Sequence, residues 1–192
     1  PYDVSTCVYV NETVNLDDDD LQNESNAGNR TGNHKRNRSQ GIEINEDGTK
    51  LFLIFHSTTG SQRLLEYKLT TPYDLDTIEL VTTAGIALGS QGVSNAMGMR
   101  FSSNGKRIFV VSHTDNVEAV TQISLDVAYD TSSFTVDGSI SVPSDVDSTL
   151  VEPRGIAFSG SGLKMYIGHD TTSHIYESNL VCPFNIISGK CP

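Results

Sequence analysis

Three stretches of the chain decide how it is read: GIEINEDGTKLFLI at 41–54, GMRFSSNGKRIFVV at 98–111 and GIAFSGSGLKMYIG at 155–168. Gly98 stands as far beyond Gly41 as Gly155 stands beyond Gly98. The copies share a glycine, two apolar residues on either side of a variable one, a polar turn ending in glycine, a basic residue and an apolar run. Self-similarity at a fixed long period marks a repeat architecture. A second landmark recurs between them as LTTPYD at 69–74, LDVAYD at 125–130 and LVCPFN at 180–185. Its aromatic residues Tyr73, Tyr129 and Phe184 follow one another at almost the same interval. The opening PYDVST at 1–6 matches PYDLDT at 72–77, so the chain starts and stops inside this landmark.

Each unit reads as four short strands. In the second, Gly98–Phe101 alternates, Asn104-Gly105 supplies the positive φ of a tight hairpin, and Lys106–Ser112 is a buried strand. Val120–Leu125 and Ser133–Val136 follow as third and fourth strands. The first unit repeats this with Asp47-Gly48 at the turn and strands at Leu64–Leu69 and Thr77–Val81; the third turns at Ser161-Gly162. A four-stranded sheet cannot bury both faces alone, so all-β sheets at this period predict propeller blades packed face to face, or a related stacked all-β array. A β-sandwich accounts for the strands but makes the period an accident. The expected organisation is an outer strand of a preceding blade at 1–16, a polar insertion loop at 17–40, and blade units at 41–97, 98–154 and 155–192, the last incomplete.

Units of the form Gly-Ile-x-Phe-Ser-x-Asp-Gly-x-Lys-apolar-Tyr, followed by a strand ending Leu-Ser-x-Pro-Tyr-Asp, resemble the tandem β-propeller repeats of YVTN/lactonase-like proteins. Similar arrays occur in secreted and virion-associated proteins of marine bacteria and their viruses. The resemblance covers 41–186, with 1–14 as one outer strand, and implies architecture more than activity. The first unit departs from it where Ile44-Asn45 replaces Phe-Ser.

Natural rings use about four to eight blades, so three leave end faces in need of cover. The expected partners are further blades of a longer protein or a second copy in a six-bladed ring, with a surface ligand as a further candidate. A lone monomer is not expected. The net charge of −11 over 192 residues argues against nucleic acid and anionic lipid as partners. No apolar run is long enough to cross a membrane as a helix.

The span from Tyr2 to Gly41 is longer by half than those from Tyr73 to Gly98 and from Tyr129 to Gly155, and the excess lies in the Asn-rich stretch Asp17–Gln40. Asp17, Asp18, Asp19 and Asp20 are candidate Ca²⁺ ligands or a solvated acidic run. Lys35, Arg36 and Arg38 face an anionic partner or that same run. Asn11, Asn23, Asn29 and Asn37 begin sequons, glycan acceptors in a eukaryotic secretory setting or chance products of an Asn-rich loop. Cys182 and Cys191 enclose a short stretch that a disulfide would close in an oxidising compartment; the alternative is free thiols, and the pairing of Cys7 is open.

His56 and His113 are equivalent, with Asp170 in their place in the third unit and His169 one step earlier. They form a metal or proton-transfer ring, or are exposed loop histidines. Glu43, Arg100 and Ala157 are equivalent on the innermost strands, as are Gln40, Met97 and Arg154. Glu43, Arg100 and Arg154 are therefore candidate axial ligand contacts, or structural ion pairs. No Gly-x-Ser-x-Gly elbow or phosphate loop is present, and no catalytic residue or cofactor is assigned beyond the calcium candidate. The leading expectation is a non-catalytic module for binding or assembly outside the cell or on a virion surface. Its rivals are a lactonase-like hydrolase and a purely structural repeat of a filament or capsid.

Overall fold

The computed structural model describes residues 38–56, 62–81, 85–114, 117–142, 153–170 and 174–187. Among them the chain is all-β and forms three successive antiparallel sheets. The first comprises β1 (Arg38–Ile44), β2 (Lys50–His56), β3 (Gln62–Leu69), β4 (Ile78–Leu80) and β5 (Ile86–Ala87). The second comprises β6 (Ala96–Phe101), β7 (Arg107–Thr114), β8 (Val117–Leu125) and β9 (Phe134–Ser141). The third comprises β10 (Pro153–Phe158), β11 (Lys164–His169) and β12 (Ile175–Asn179). Each is a meander in chain order, and β6 lies against both β1 and β10. The first strand of every sheet is thus innermost, and the chain folds as propeller blades in an incomplete ring.

The repeat glycines explain this packing. A Cβ on Gly41 would lie 3.3 Å from the Gly98 Cα, and one on Gly98 would lie 2.5 Å from the Arg154 carbonyl oxygen and 3.7 Å from the Gly155 Cα. The inner strands approach backbone to backbone, where no larger residue fits. A bulge precedes each of these glycines, leaving Gln40, Met97 and Arg154 as the extra residue.

The hairpin glycine and the landmark aromatic prove to be one device. Gly48, Gly105 and Gly162 have φ of 73°, 67° and 70°. The rings of Tyr73, Tyr129 and Phe184 lie over them, 2.2–2.3 Å from where a Cβ would sit. Each aromatic donates its amide to the glycine carbonyl, at 2.9, 2.9 and 2.8 Å. These aromatics themselves adopt left-handed φ of 61°, 56° and 50°. That conformation is costly for a bulky residue, and the ring packing and amide bond offset it.

Between the blades the side chains interdigitate. Phe52, Ile54 and Leu64 of the first sheet pack against Met99, Phe101, Ile108 and Val110 of the second. Phe109, Val111 and Val120 then repeat the arrangement against Ile156, Phe158, Met165 and Ile167 of the third. Two aromatic triads mark the equivalence: Phe52, Phe101 and Tyr129 at one joint, Phe109, Phe158 and Phe184 at the next, with adjacent ring centres 4.5–5.4 Å apart. We call the face that meets the next blade trailing and the opposite one leading.

Three departures from the sequence expectation have physical reasons. Asn45 does the work of the missing serine: its Oδ1 accepts from the Lys50 amide at 2.8 Å, as Ser102 and Ser159 accept from Arg107 and Lys164. The fourth strand of the first blade is split, β4 pairing with Tyr67–Leu69 and β5 with Arg63–Leu64. In the second blade the fourth strand is longer than expected, running to Ser141 and absorbing a bulge at Gly138, whose φ of 146° suits glycine. Helical structure among the described residues is confined to short 3-10 turns at Leu75–Thr77 and Leu88–Gln91, and no helix there is long and apolar enough to cross a membrane.

Candidate functional site

The most specific polar geometry lies at the blade joints, in a clasp built from the strand pair at the middle of each blade. In the first blade Lys50 and Glu66 both reach the second blade's landmark turn. Lys50 Nζ lies 2.6 Å from Glu66 and donates to the Tyr129 carbonyl at 2.7 Å. Glu66, 2% exposed, accepts from the amide and hydroxyl of Thr131 at 2.9 and 2.8 Å. A buried carboxylate is tolerated only when so paired and hydrogen-bonded. In the second blade Arg107 donates to the Phe184 carbonyl at 2.9 Å, and Gln122 accepts from the Ile186 amide at 2.9 Å. The rule is the same: a cation takes the carbonyl of the aromatic, and an acceptor takes the amide two residues on.

The third blade repeats the hardware. Lys164 stands as far beyond Arg107 as Arg107 stands beyond Lys50. Glu177 pairs across from Tyr166 as Glu66 does from Phe52 and Gln122 from Phe109. Lys164 donates to Glu177 at 2.5 Å, and the two side chains are 45% and 47% exposed. Glu177 holds the Lys164 ammonium above its ordinary range. Glu66 at the equivalent point is buried, so the third clasp is assembled and open.

No family model and no curated protein matches the chain. Among solved structures it is similar to the β-propeller domain of Cps50 (Swd1) from Myceliophteria thermophila, at 14% identity and a TM-score of 0.47. That alignment covers 74% of this chain and 38% of the other, so the chain spans less than two fifths of that domain. The blade architecture described above stands on the chain's own strand order and joints.

The axial candidates are drawn into joints between blades. Glu43 lies 3.5 Å from Arg100 and accepts from the Phe101 amide at 3.0 Å. Burial pushes the Glu43 carboxyl above its ordinary range, with Arg100 and that amide opposing. Arg154 pairs with Asp170 at 3.0 Å and reaches the Met97 sulfur at 3.4 Å. Ala157 is exposed on the trailing side of the third blade. Asp47 and Asp130 cap their turns, and the Thr49 and Ser132 hydroxyls and amides hold their carboxyls below the ordinary range.

The histidines do not share one environment. His113 is half-buried opposite Glu118, whose carboxyl desolvation pushes upward. His169 is not an exposed loop residue: it ends β11, is 6% exposed and packs on Tyr176 with ring centres 4.6 Å apart. His56 ends β2. Among the described residues no group of three His, Cys, Asp or Glu side chains could hold a metal ion.

Cys182 is buried at the last landmark. Its expected partner Cys191, together with Cys7, Asp17–Asp20, Lys35, Arg36 and the four sequon asparagines, lies outside the described residues, and Arg38 opens β1. Sequence reading missed the acceptors Glu66, Gln122 and Glu177. They differ in type and recur slightly short of the glycine period, so only alignment on the strand register opposite Phe52, Phe109 and Tyr166 brings them together.

Proposed function

We propose that the chain is a non-catalytic propeller module that works by binding and assembly, outside the cell or on a virion surface. The observation that carries this reading is the joint itself: the same cation-and-acceptor clasp is filled between the first and second blades and between the second and third, and stands open on the third. The spaced Cys182 and Cys191, the sequons and the acidic balance favour an oxidising, extracellular setting. Glu43, Arg100 and Arg154 then serve as struts between and within blades rather than as ligand contacts, and calcium has no assigned role.

A lactone hydrolysis screen with calcium or zinc present tests this reading against a hydrolase. The expected outcome is turnover no faster than buffer. Turnover that disappears in Arg100→Ala would overturn it.

A further inference from the structure

The filled clasps show what an open one is shaped to take. Twice in this molecule the pair takes the same object: a landmark turn that offers the carbonyl of an aromatic residue in left-handed conformation and the amide two residues further on. Three landmark turns are described, and two of them are already held. The third, at Tyr73, offers the same two groups. Among the described residues the Tyr73 carbonyl and the Leu75 amide have no hydrogen-bond partner, and Tyr73 and Leu75 are 61% and 39% exposed.

One apolar contact of the filled joints has its counterparts on the two end blades. At each filled joint a ring on the second strand of one blade meets a residue four positions before the hairpin glycine and the landmark aromatic of the next: Phe52 meets Phe101 and Tyr129, and Phe109 meets Phe158, which in turn meets Phe184. The third blade presents Tyr166 in the place of Phe52 and Phe109. The first blade presents Ile44, 36% exposed, and Tyr73 in the places of their partners. The inner-strand series ends in the same place: Gly41 and Gly98 each meet the next blade, whereas a Cβ on Gly155 would meet nothing within 4 Å. The central part of the first blade's leading face, Leu51, Leu53, Leu65 and Tyr67, is already buried, which leaves Ile44, Tyr73 and Leu75 as its exposed rim.

We propose that the trailing face of the third blade binds the Tyr73 turn of a second copy of this chain, head to tail, with Lys164 on the Tyr73 carbonyl and Glu177 on the Leu75 amide. The proposal rests on the assembly reading above. Such an interface uses two different patches, and it closes when the rotation per copy divides a full turn. Two copies bring three described blades each, six in all, inside the natural range of about four to eight.

The filled joint also predicts a neighbour. Lys50 Nζ donates to the Tyr129 carbonyl at 2.7 Å, which places it beside Asp130, the next residue. Asp74 follows Tyr73 in the same way, so Lys164 of one copy should face Asp74 of the other.

The test is carbodiimide cross-linking of the full chain, mixed from ¹⁴N and ¹⁵N preparations, together with sedimentation velocity over a range of concentrations. The expected result is a concentration-dependent dimer with a mixed-isotope Lys164–Asp74 link. Glu177→Lys, at a side chain 47% exposed and with an unchanged circular dichroism spectrum expected for the monomer, should weaken the dimer about tenfold to a hundredfold, the usual effect of losing a charged hydrogen bond. A monomer at every concentration, a link from Lys164 to Asp3 within one copy, or a dimer indifferent to Glu177→Lys would each overturn the head-to-tail joint. None of these results touches the non-catalytic reading, which falls only to turnover in the lactone screen.

Discussion

Replacing Glu66 with alanine is expected to destabilise the fold by about 3–5 kcal/mol, the usual loss when one partner of a buried ion pair is removed. The carboxylate is 2% exposed and satisfies three groups at once: the Lys50 ammonium, the Thr131 amide and the Thr131 hydroxyl. Alanine leaves the Thr131 amide and hydroxyl without their acceptor in a place water does not reach, and the partly exposed Lys50 ammonium with a carbonyl alone. The second blade supplies the control. Gln122 stands at the equivalent position and accepts from Ile186 as Glu66 accepts from Thr131. Glu66→Gln should therefore cost only about 1–2 kcal/mol, a charge-assisted bond exchanged for a neutral one. Urea unfolding of the two variants checks the pair; equal midpoints for glutamine and alanine would show that the acceptor is not what matters.

Gly98→Val should be nearly as damaging, at about 3 kcal/mol, while the same change at Gly155 should stay within about 0.5 kcal/mol of the parent chain. The two glycines have the same place in the repeat and the same strand setting, where valine is intrinsically the better residue. They differ in what lies beyond them. A Cβ on Gly98 would come within 2.5 Å of a backbone oxygen, which cannot step aside as a flexible side chain would; a Cβ on Gly155 meets nothing within 4 Å. Any difference in stability between the two variants therefore measures the packing of one blade on the next. Urea midpoints at a protein concentration where the chain is monomeric give the comparison.

The repeat period carried most of the architecture because it records contacts that recur. The glycine of the inner strand is needed where two backbones meet, the hairpin glycine where the chain turns with positive φ, and the aromatic of the landmark where a ring covers that glycine. Each requirement is local to one position, so each shows as a repeated letter. The clasp is different. Its acceptor needs an oxygen at one point across from a given residue of the second strand, and Glu66, Gln122 and Glu177 all provide it. Function of that kind leaves no repeated letter. Loop lengths of the hairpins between the second and third strands also vary, which shifts the acceptors off the glycine period. Asn45 shows the same tolerance, holding the Lys50 amide with a longer side chain than Ser102 or Ser159 uses. The axial positions were legible as positions but not as chemistry, because whether Arg100 and Arg154 face a ligand or a carboxylate depends on their neighbours in space: Glu43 from the first blade and Asp170 from the third.

Three sister sheets pack in chain order through equivalent joints, and aromatic nuclear Overhauser contacts in solution report on those joints. The Phe101 ring should contact those of Phe52 and Tyr129, and the Phe158 ring those of Phe109 and Phe184. Contacts from the Phe158 ring to Phe52, or to neither of its expected partners, would contradict this packing.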